Sequence, residues 1–304
     1  MTKTSRIGPW LVALGAALWG TENAWRIPLG EIFKPSVLVW WEHVILVLLA
    51  VPVIIPRLGE LKRVSPKTLA WLVFSGFAGS AVGTVFFTMA LAAGNKTVAN
   101  VVLNIQPVIS TAGAVLFFHD RIARSFWPWA VLAIASGGVL ATVFDKDSFT
   151  PALDAGVPYA LLCAAFWGMS TVAGRGVMAE MSLPLAAGMR VVIGLVTMTI
   201  VVLVQGHAHA ADLWPAAAGG ETAVWLILLA TVSGWVPLLV YFRGLSLTHA
   251  STAGYFEMMQ TLCAVVITWG SFHAALRPYQ VCAGLLLILA VAMVQRAQST
   301  VGSA

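Results

Sequence analysis

The sequence predicts an all-α membrane protein with ten transmembrane helices, arranged as two inverted five-helix repeats around a central cavity. Three observations carry that prediction: an apolar composition, ten apolar runs of membrane-crossing length, and an echo between the two halves of the chain. Of the 304 residues, 60% are hydrophobic and only 10% charged, against about 25% charged in a soluble domain. Such a chain cannot cover itself with a polar surface, so lipid is its expected partner. The net charge of +5 raises the question of nucleic acid. The basic residues are scattered through short gaps rather than gathered into a patch, which argues against it. Cys163, Cys263 and Cys282 lie inside apolar runs without CxxC spacing, so neither a disulfide frame nor a zinc site is expected.

A spanning helix needs about 20 mostly apolar residues. The runs fall at about 8–29, 35–56, 67–92, 96–118, 126–144, 157–178, 183–205, 222–246, 250–272 and 277–297. Lys3 and Arg6 ahead of the first run resemble the start of a signal peptide. The run continues past the usual apolar core to Glu22 and Arg26 without a cleavage site, so it reads as a retained first helix. Cytoplasmic loops are enriched in Lys and Arg. With the N-terminus inside, eleven basic residues fall in cytoplasmic segments, among them Arg57, Lys62, Arg63 and Lys67, against five on the opposite side. Both termini are therefore predicted cytoplasmic, in a multi-pass protein of the bacterial inner membrane.

The halves, 1–147 and 148–304, echo each other. Trp19-Gly20 recurs as Trp167-Gly168 at an offset of 148, and Pro35 recurs as Pro184 at 149. At an offset of 154, Trp71-Leu72 pairs with Trp225-Leu226, Gln106 with Gln260, and Phe118-His119 with Phe272-His273. An odd number of helices per copy inverts the second copy in the membrane. Inverted repeats are characteristic of alternating-access transporters, whose substrate site lies near the midplane.

With these features the sequence resembles the EamA family of the drug/metabolite transporter superfamily over essentially its whole length. The resemblance rests on the paired Trp-Gly, on Pro184…Arg190, on the aromatic segments Phe86–Leu91 and Tyr241–Leu245, and on Gln280…Gly284. It implies a ten-helix basket with a central cavity and export of amino acids or related metabolites. The chain departs from the family pattern at Asp120 after His119, at Ala274 after His273, and at Glu42, near the place of an Arg in the family's first half.

A charge at the centre of a spanning helix costs about 2.5–3.5 kcal/mol on insertion scales, so such residues usually face a cavity or one another. Glu22 and Arg26 lie four apart on one helix face, placed either to neutralise each other or to serve the path. Glu42 and His43 lie well inside the second span. Glu42 has no local basic partner in sequence, and His43 reads either as an interfacial histidine or as a proton carrier. Glu22, Glu42 and His43 are the candidates for proton coupling. Arg190 and Glu257 form either an ion pair between helices or a subsite for a carboxylate and an ammonium. Glu42 and Arg190 stand at nearly repeat-equivalent positions with opposite charge, which suits a zwitterion. Trp41, Asn100, Asn104, Tyr255 and Gln260 complete the substrate-binding candidates, although asparagines at this spacing also bond helix to helix. Pro107 and Pro237 free the carbonyls of Leu103 and Ser233, marking bends beside the cavity.

No Walker loop, GxSxG elbow or HExxH is present, and His207-Ala208-His209 alone is a weak metal site, so no enzyme, cofactor or metal is expected. The expected function is secondary transport of a small molecule. An exporter of amino acids or related zwitterions in exchange for protons is preferred, as a monomer or homodimer. An uncoupled facilitator, a multidrug or nucleoside exporter and a membrane sensor are the alternatives.

Overall fold

The computed structural model describes residues 7–119, 123–144, 151–245 and 259–301. Tyr255 and Glu257 lie outside the described residues. Among the described residues the regular structure is helical apart from one short ribbon. The first rod is α1 (Gly8–Gly20) and α2 (Glu22–Ile32), joined at Thr21, whose N–H bonds back to the carbonyls of Ala17 and Leu18. There follow α3 (Pro35–Ile54) with a 3₁₀ extension over Ile55–Arg63, then α4 (Pro66–Ser75) and α5 (Gly83–Ala93), separated by a π-helix at Gly76–Val82. Next come α6 (Lys96–Val102), a 3₁₀ turn at Leu103–Ile105, α7 (Gln106–Phe118) and α8 (Phe126–Ala141). The second half holds α9 (Val157–Val177), α10 (Leu183–Val204), the short α11 (Ala210–Leu213) and α12 (Gly220–Ala230). A π-helix at Thr231–Trp235 leads into α13 (Val236–Leu245), followed by α14 (Met259–Phe272) and α15 (Pro278–Val301).

Six of these rods are long and apolar enough to cross a membrane, and three shorter apolar helices accompany them among the described residues. Large apolar side chains such as Leu48, Val131, Val196, Leu203, Ile227 and Leu285 point outward, as a lipid-facing surface requires. The fifth expected span stops early. Residues Thr142–Phe144 form a strand paired antiparallel with Pro151–Leu153, so the fifth run ends in extended backbone rather than in helix. Asp154 anchors the ribbon: its carboxylate accepts the N–H of Asn95 at 3.0 Å and of Gly156 at 2.9 Å.

Hydrogen bonds between connections sort into two sets that match successive crossings. At one end Lys34 meets Asp212 at 2.6 Å, Asn95 donates to the Ala275 carbonyl at 3.2 Å, and Tyr279 donates to the Thr142 carbonyl at 2.9 Å. At the other, Ser182 donates through its N–H and hydroxyl to Glu60, each at 2.9 Å. Ser65 donates likewise to Glu180 at 2.7 and 2.9 Å. The first end is plugged by an apolar cluster around Leu29, Phe33, Leu38, Val202 and Leu229 with Trp25, Trp41 and Trp225.

Local geometry also repeats. His119 and His273, 154 residues apart, are the two non-glycine residues with positive φ among those described, at 57° and 50°. Both terminate a helix, as a left-handed C-terminal residue does. The same offset carries the first π-helix onto the second. The regular helix is interrupted where the prolines free carbonyls: a 3₁₀ turn precedes Pro107, and the π-helix containing Ser233 precedes Pro237.

Candidate functional site

Between the halves lies a cavity of about 330 Å³, within the range of small-molecule sites. Its lining descends to Val177, Met178 and Leu183, at the end of the molecule that carries Glu60 and Glu180. The cavity therefore reaches toward that end, and the tryptophan-rich cluster packs at the other.

Many lining residues pair at the sequence offsets noted above, 148 or 154: Trp19 with Trp167, Glu42 with Arg190, Gln106 with Gln260. So do Gly79, Ser80 and Thr84 with Ser233, Gly234 and Leu238. The Trp-Gly pairs acquire a physical reason here. A Cβ at Gly20 would collide with the Gln260 carbonyl, and one at Gly168 would lie 3.1 Å from the Gln106 carbonyl. Each glycine lets its helix approach the glutamine helix of the other half, while the neighbouring tryptophan and the glutamine face the cavity. The π-helices place Gly79, Ser80, Ser233 and Gly234 at the wall, consistent with the use of such segments at functional sites.

The first-half wall carries a buried ion cluster. Arg26, 1% exposed, donates through Nη2 to both oxygens of Glu42 at 2.9 and 2.8 Å and to Glu22 Oε2 at 3.2 Å. Its Nη1 donates to Thr88 at 3.1 Å, and the guanidinium lies 5.8 Å from the centre of the Phe87 ring. Glu42 thus has a basic partner, contrary to the sequence reading. It comes from the preceding helix, sixteen residues earlier, where no helical periodicity would reveal it. The expected Glu22–Arg26 pair is present as well. His43 is buried against the same wall. Its Nδ1 lies 2.8 Å from the Val39 carbonyl, and its Nε2 lies 2.8 Å from the Ser80 hydroxyl. Donation from Nδ1–H and acceptance at Nε2 satisfy both ring nitrogens of a neutral ring, a tautomer assigned from the network.

The second-half wall differs. Arg190 lines the cavity half-buried, and among the described residues it makes no ion pair and no hydrogen bond. It packs against the first π-helix: a Cβ at Gly79 would lie 2.6 Å from Arg190 Nη2 and would collide with the Ser170 hydroxyl. Gln106 and Gln260 line the same space.

Three expected binding residues sit elsewhere. Trp41 turns away from the cavity, donates to the Leu213 carbonyl at 2.8 Å and packs edge-to-face on Trp40 and Trp214. Asn100 pairs reciprocally with Asn23 at 3.0 and 3.3 Å and donates to the Lys96 carbonyl at 2.7 Å. Asn104 donates to the Val101 carbonyl and accepts from Thr261 at 2.9 Å. Both asparagines fasten helices together, because an amide in an apolar interior is satisfied most readily by another polar side chain. Trp19 and Trp167, by contrast, line the cavity.

A helical bundle with a lipid-facing exterior and a charged internal cavity has the build of a membrane transporter of small molecules. The chain belongs to the EamA-like transporter family, whose model matches residues 6–143 and again 154–296. It is similar to the riboflavin transporter ImpX of Fusobacterium nucleatum subsp. nucleatum. The two are 25% identical over 297 residues, covering 95% of this chain and 97% of the relative. A protein of known crystal structure, 17% identical, shares the fold with a TM-score of 0.60 over 95% of this chain and 96% of its own.

Proposed function

We propose that the protein is a ten-helix, inverted-repeat secondary transporter of the inner membrane that exports a small zwitterionic metabolite in exchange for protons. The observation that carries this reading is Arg190, an arginine on the cavity wall that meets no carboxylate among the described residues. A guanidinium held in low dielectric favours an arriving carboxylate, which it can grip with two hydrogen bonds. Glu22, on the opposite wall, is placed for the ammonium of the same molecule. The repeat-equivalent π-helices, left-handed histidines and cavity residues support the duplication, and the two sets of end contacts support alternate crossings. Under the positive-inside rule the end carrying Arg57, Lys62 and Arg63 is cytoplasmic, so the cavity faces the side from which an exporter loads.

A second reading has specific support. Trp19, Trp167 and Trp235 with the amides of Gln106 and Gln260 would also suit a planar heterocycle with carbonyl edges, and the similar ImpX is named as a riboflavin transporter. A thermal-shift panel of amino acids, nucleosides, cationic drugs and flavins separates the two, because a ligand of the native state raises its stability by mass action. Stabilisation by amino acids that disappears in Arg190→Ala is the expected result. Stabilisation by flavins alone would replace the zwitterion with a heterocycle.

A further inference from the structure

The ion cluster contains two carboxylates and one guanidinium, and its geometry treats the carboxylates unequally. Glu42 places both oxygens on Arg26 Nη2, at 2.8 and 2.9 Å. Glu22 places one oxygen there, at 3.2 Å, and Oε1 takes no hydrogen bond among the described residues. Glu22 is also the more exposed of the two, with 11% of its side chain accessible against 8% for Glu42, and both line the cavity.

The charged and titratable groups around Glu22, among the described residues, are few. Arg26 lies on its own helix, Glu42 and His43 on α3, Arg190 on α10 and the buried Cys163 on α9. Arg190 forms no ion pair with either carboxylate, so Arg26 alone is in contact with the two negative charges. Carboxylates crowded at one site do not both ionise readily, and a shared proton resolves the conflict. Placing it on Glu42 would break a two-oxygen ion pair. Placing it on Glu22 sacrifices one long hydrogen bond and leaves Arg26–Glu42 neutral and intact.

We infer that Glu22, and not Glu42 or His43, holds the exchangeable proton of the cavity, while Arg26–Glu42 is a fixed neutral pair. The inference rests on the proton-exchange reading above. In the empty cavity Glu22 is a carboxylic acid. When an ammonium group enters, the O–H bond breaks, the proton passes to cavity water, and the carboxylate pairs with the ammonium, so one positive charge replaces another.

Infrared difference spectra of the purified protein, recorded without substrate while pH is lowered from about 8 to about 5, test this directly. Ordinary exposed carboxyls titrate near 4, so they contribute little in that window. The expected result is a protonated-carboxyl C=O band that is absent in Glu22→Gln and moves in frequency in Glu22→Asp. In Glu42→Asp the band stays at its wild-type frequency. A band that persists in folded Glu22→Gln, or that moves in Glu42→Asp instead, overturns the assignment. So does the absence of any titrating band in the wild-type protein. Proteoliposome flux is read separately: an intact Glu22 band with no zwitterion movement would refute the transport reading and leave the proton assignment standing.

Discussion

The two walls of the cavity carry residues at matching sequence offsets and do opposite things. Glu42 and Arg190 stand 148 residues apart on corresponding helices. Glu42 is held by Arg26, 1% exposed, within a cluster that also takes in Glu22 and Thr88. Arg190 faces the cavity with no ionic partner among the described residues. Paired Trp-Gly contacts, glutamines and π-helices recur on both walls at matching offsets. One wall is thus largely neutralised internally, and the other presents an arginine with no ionic partner among the described residues.

The largest effect is expected from breaking the neutralised wall. Arg26→Ala strands the buried Glu42 carboxylate and removes the donor to Glu22, and removing one partner of a buried ion pair costs about 3–5 kcal/mol. The thermal unfolding midpoint in detergent should fall sharply, and Arg26→Lys should restore only part of it because lysine cannot span both carboxylates in the same way. A variant as stable as wild type would show that the cluster is not structural.

Arg190→Ala should leave the unfolding midpoint near wild type, since no protein partner is lost. It should weaken ligand binding by about 10- to 100-fold, the worth of a hydrogen bond to a charged group. Gly79→Ala tests the same wall indirectly. Its new Cβ meets Ser170 and Arg190, and overpacking of this kind costs about 1–3 kcal/mol. Binding and stability should both decline, whereas Gly137→Ala, with open space at the new Cβ, should change neither.

The asparagines provide the smaller contrast. Asn100→Ala should cost about 1 kcal/mol of stability, typical of a polar contact between membrane helices, with transport retained. Loss of transport at full stability would return Asn100 to the path.

The smallest effect concerns the cavity's open end. Hydrogen bonds from Ser182 hold the Glu60 carboxyl below its ordinary range, and those from Ser65 do the same for Glu180. Because both are lowered in the folded protein, their contribution is complete above the ordinary carboxyl value and fades as pH falls through the depressed one. A modest acid-side loss of stability in the wild type should therefore flatten in the Glu60→Gln/Glu180→Gln double variant. An unchanged acid limb would exclude these contacts as its source.

Much of this architecture is written in the sequence, because apolar runs of spanning length and offset pairs such as Trp19/Trp167 and Gln106/Gln260 are local or periodic signals. Pro107 and Pro237 likewise announce interruptions of the regular helix through a missing N–H. Other features leave no such trace. The π-helix at Gly76–Val82 contains no proline. Glu42 finds Arg26 only after two helices pack, and Trp41 is drawn outward by Leu213 and Trp214, which arrive from the second half. The depth of a residue in a span is thus legible, but which way it faces depends on partners far along the chain.

The most direct test of Arg190 as the open charge of the transport path is zwitterion flux in proteoliposomes carrying wild-type, Arg190→Ala or Trp41→Phe protein, each verified as folded. Flux that survives in Trp41→Phe and falls at least tenfold in Arg190→Ala is the expected result. Undiminished flux through Arg190→Ala would mean that the substrate crosses without this residue.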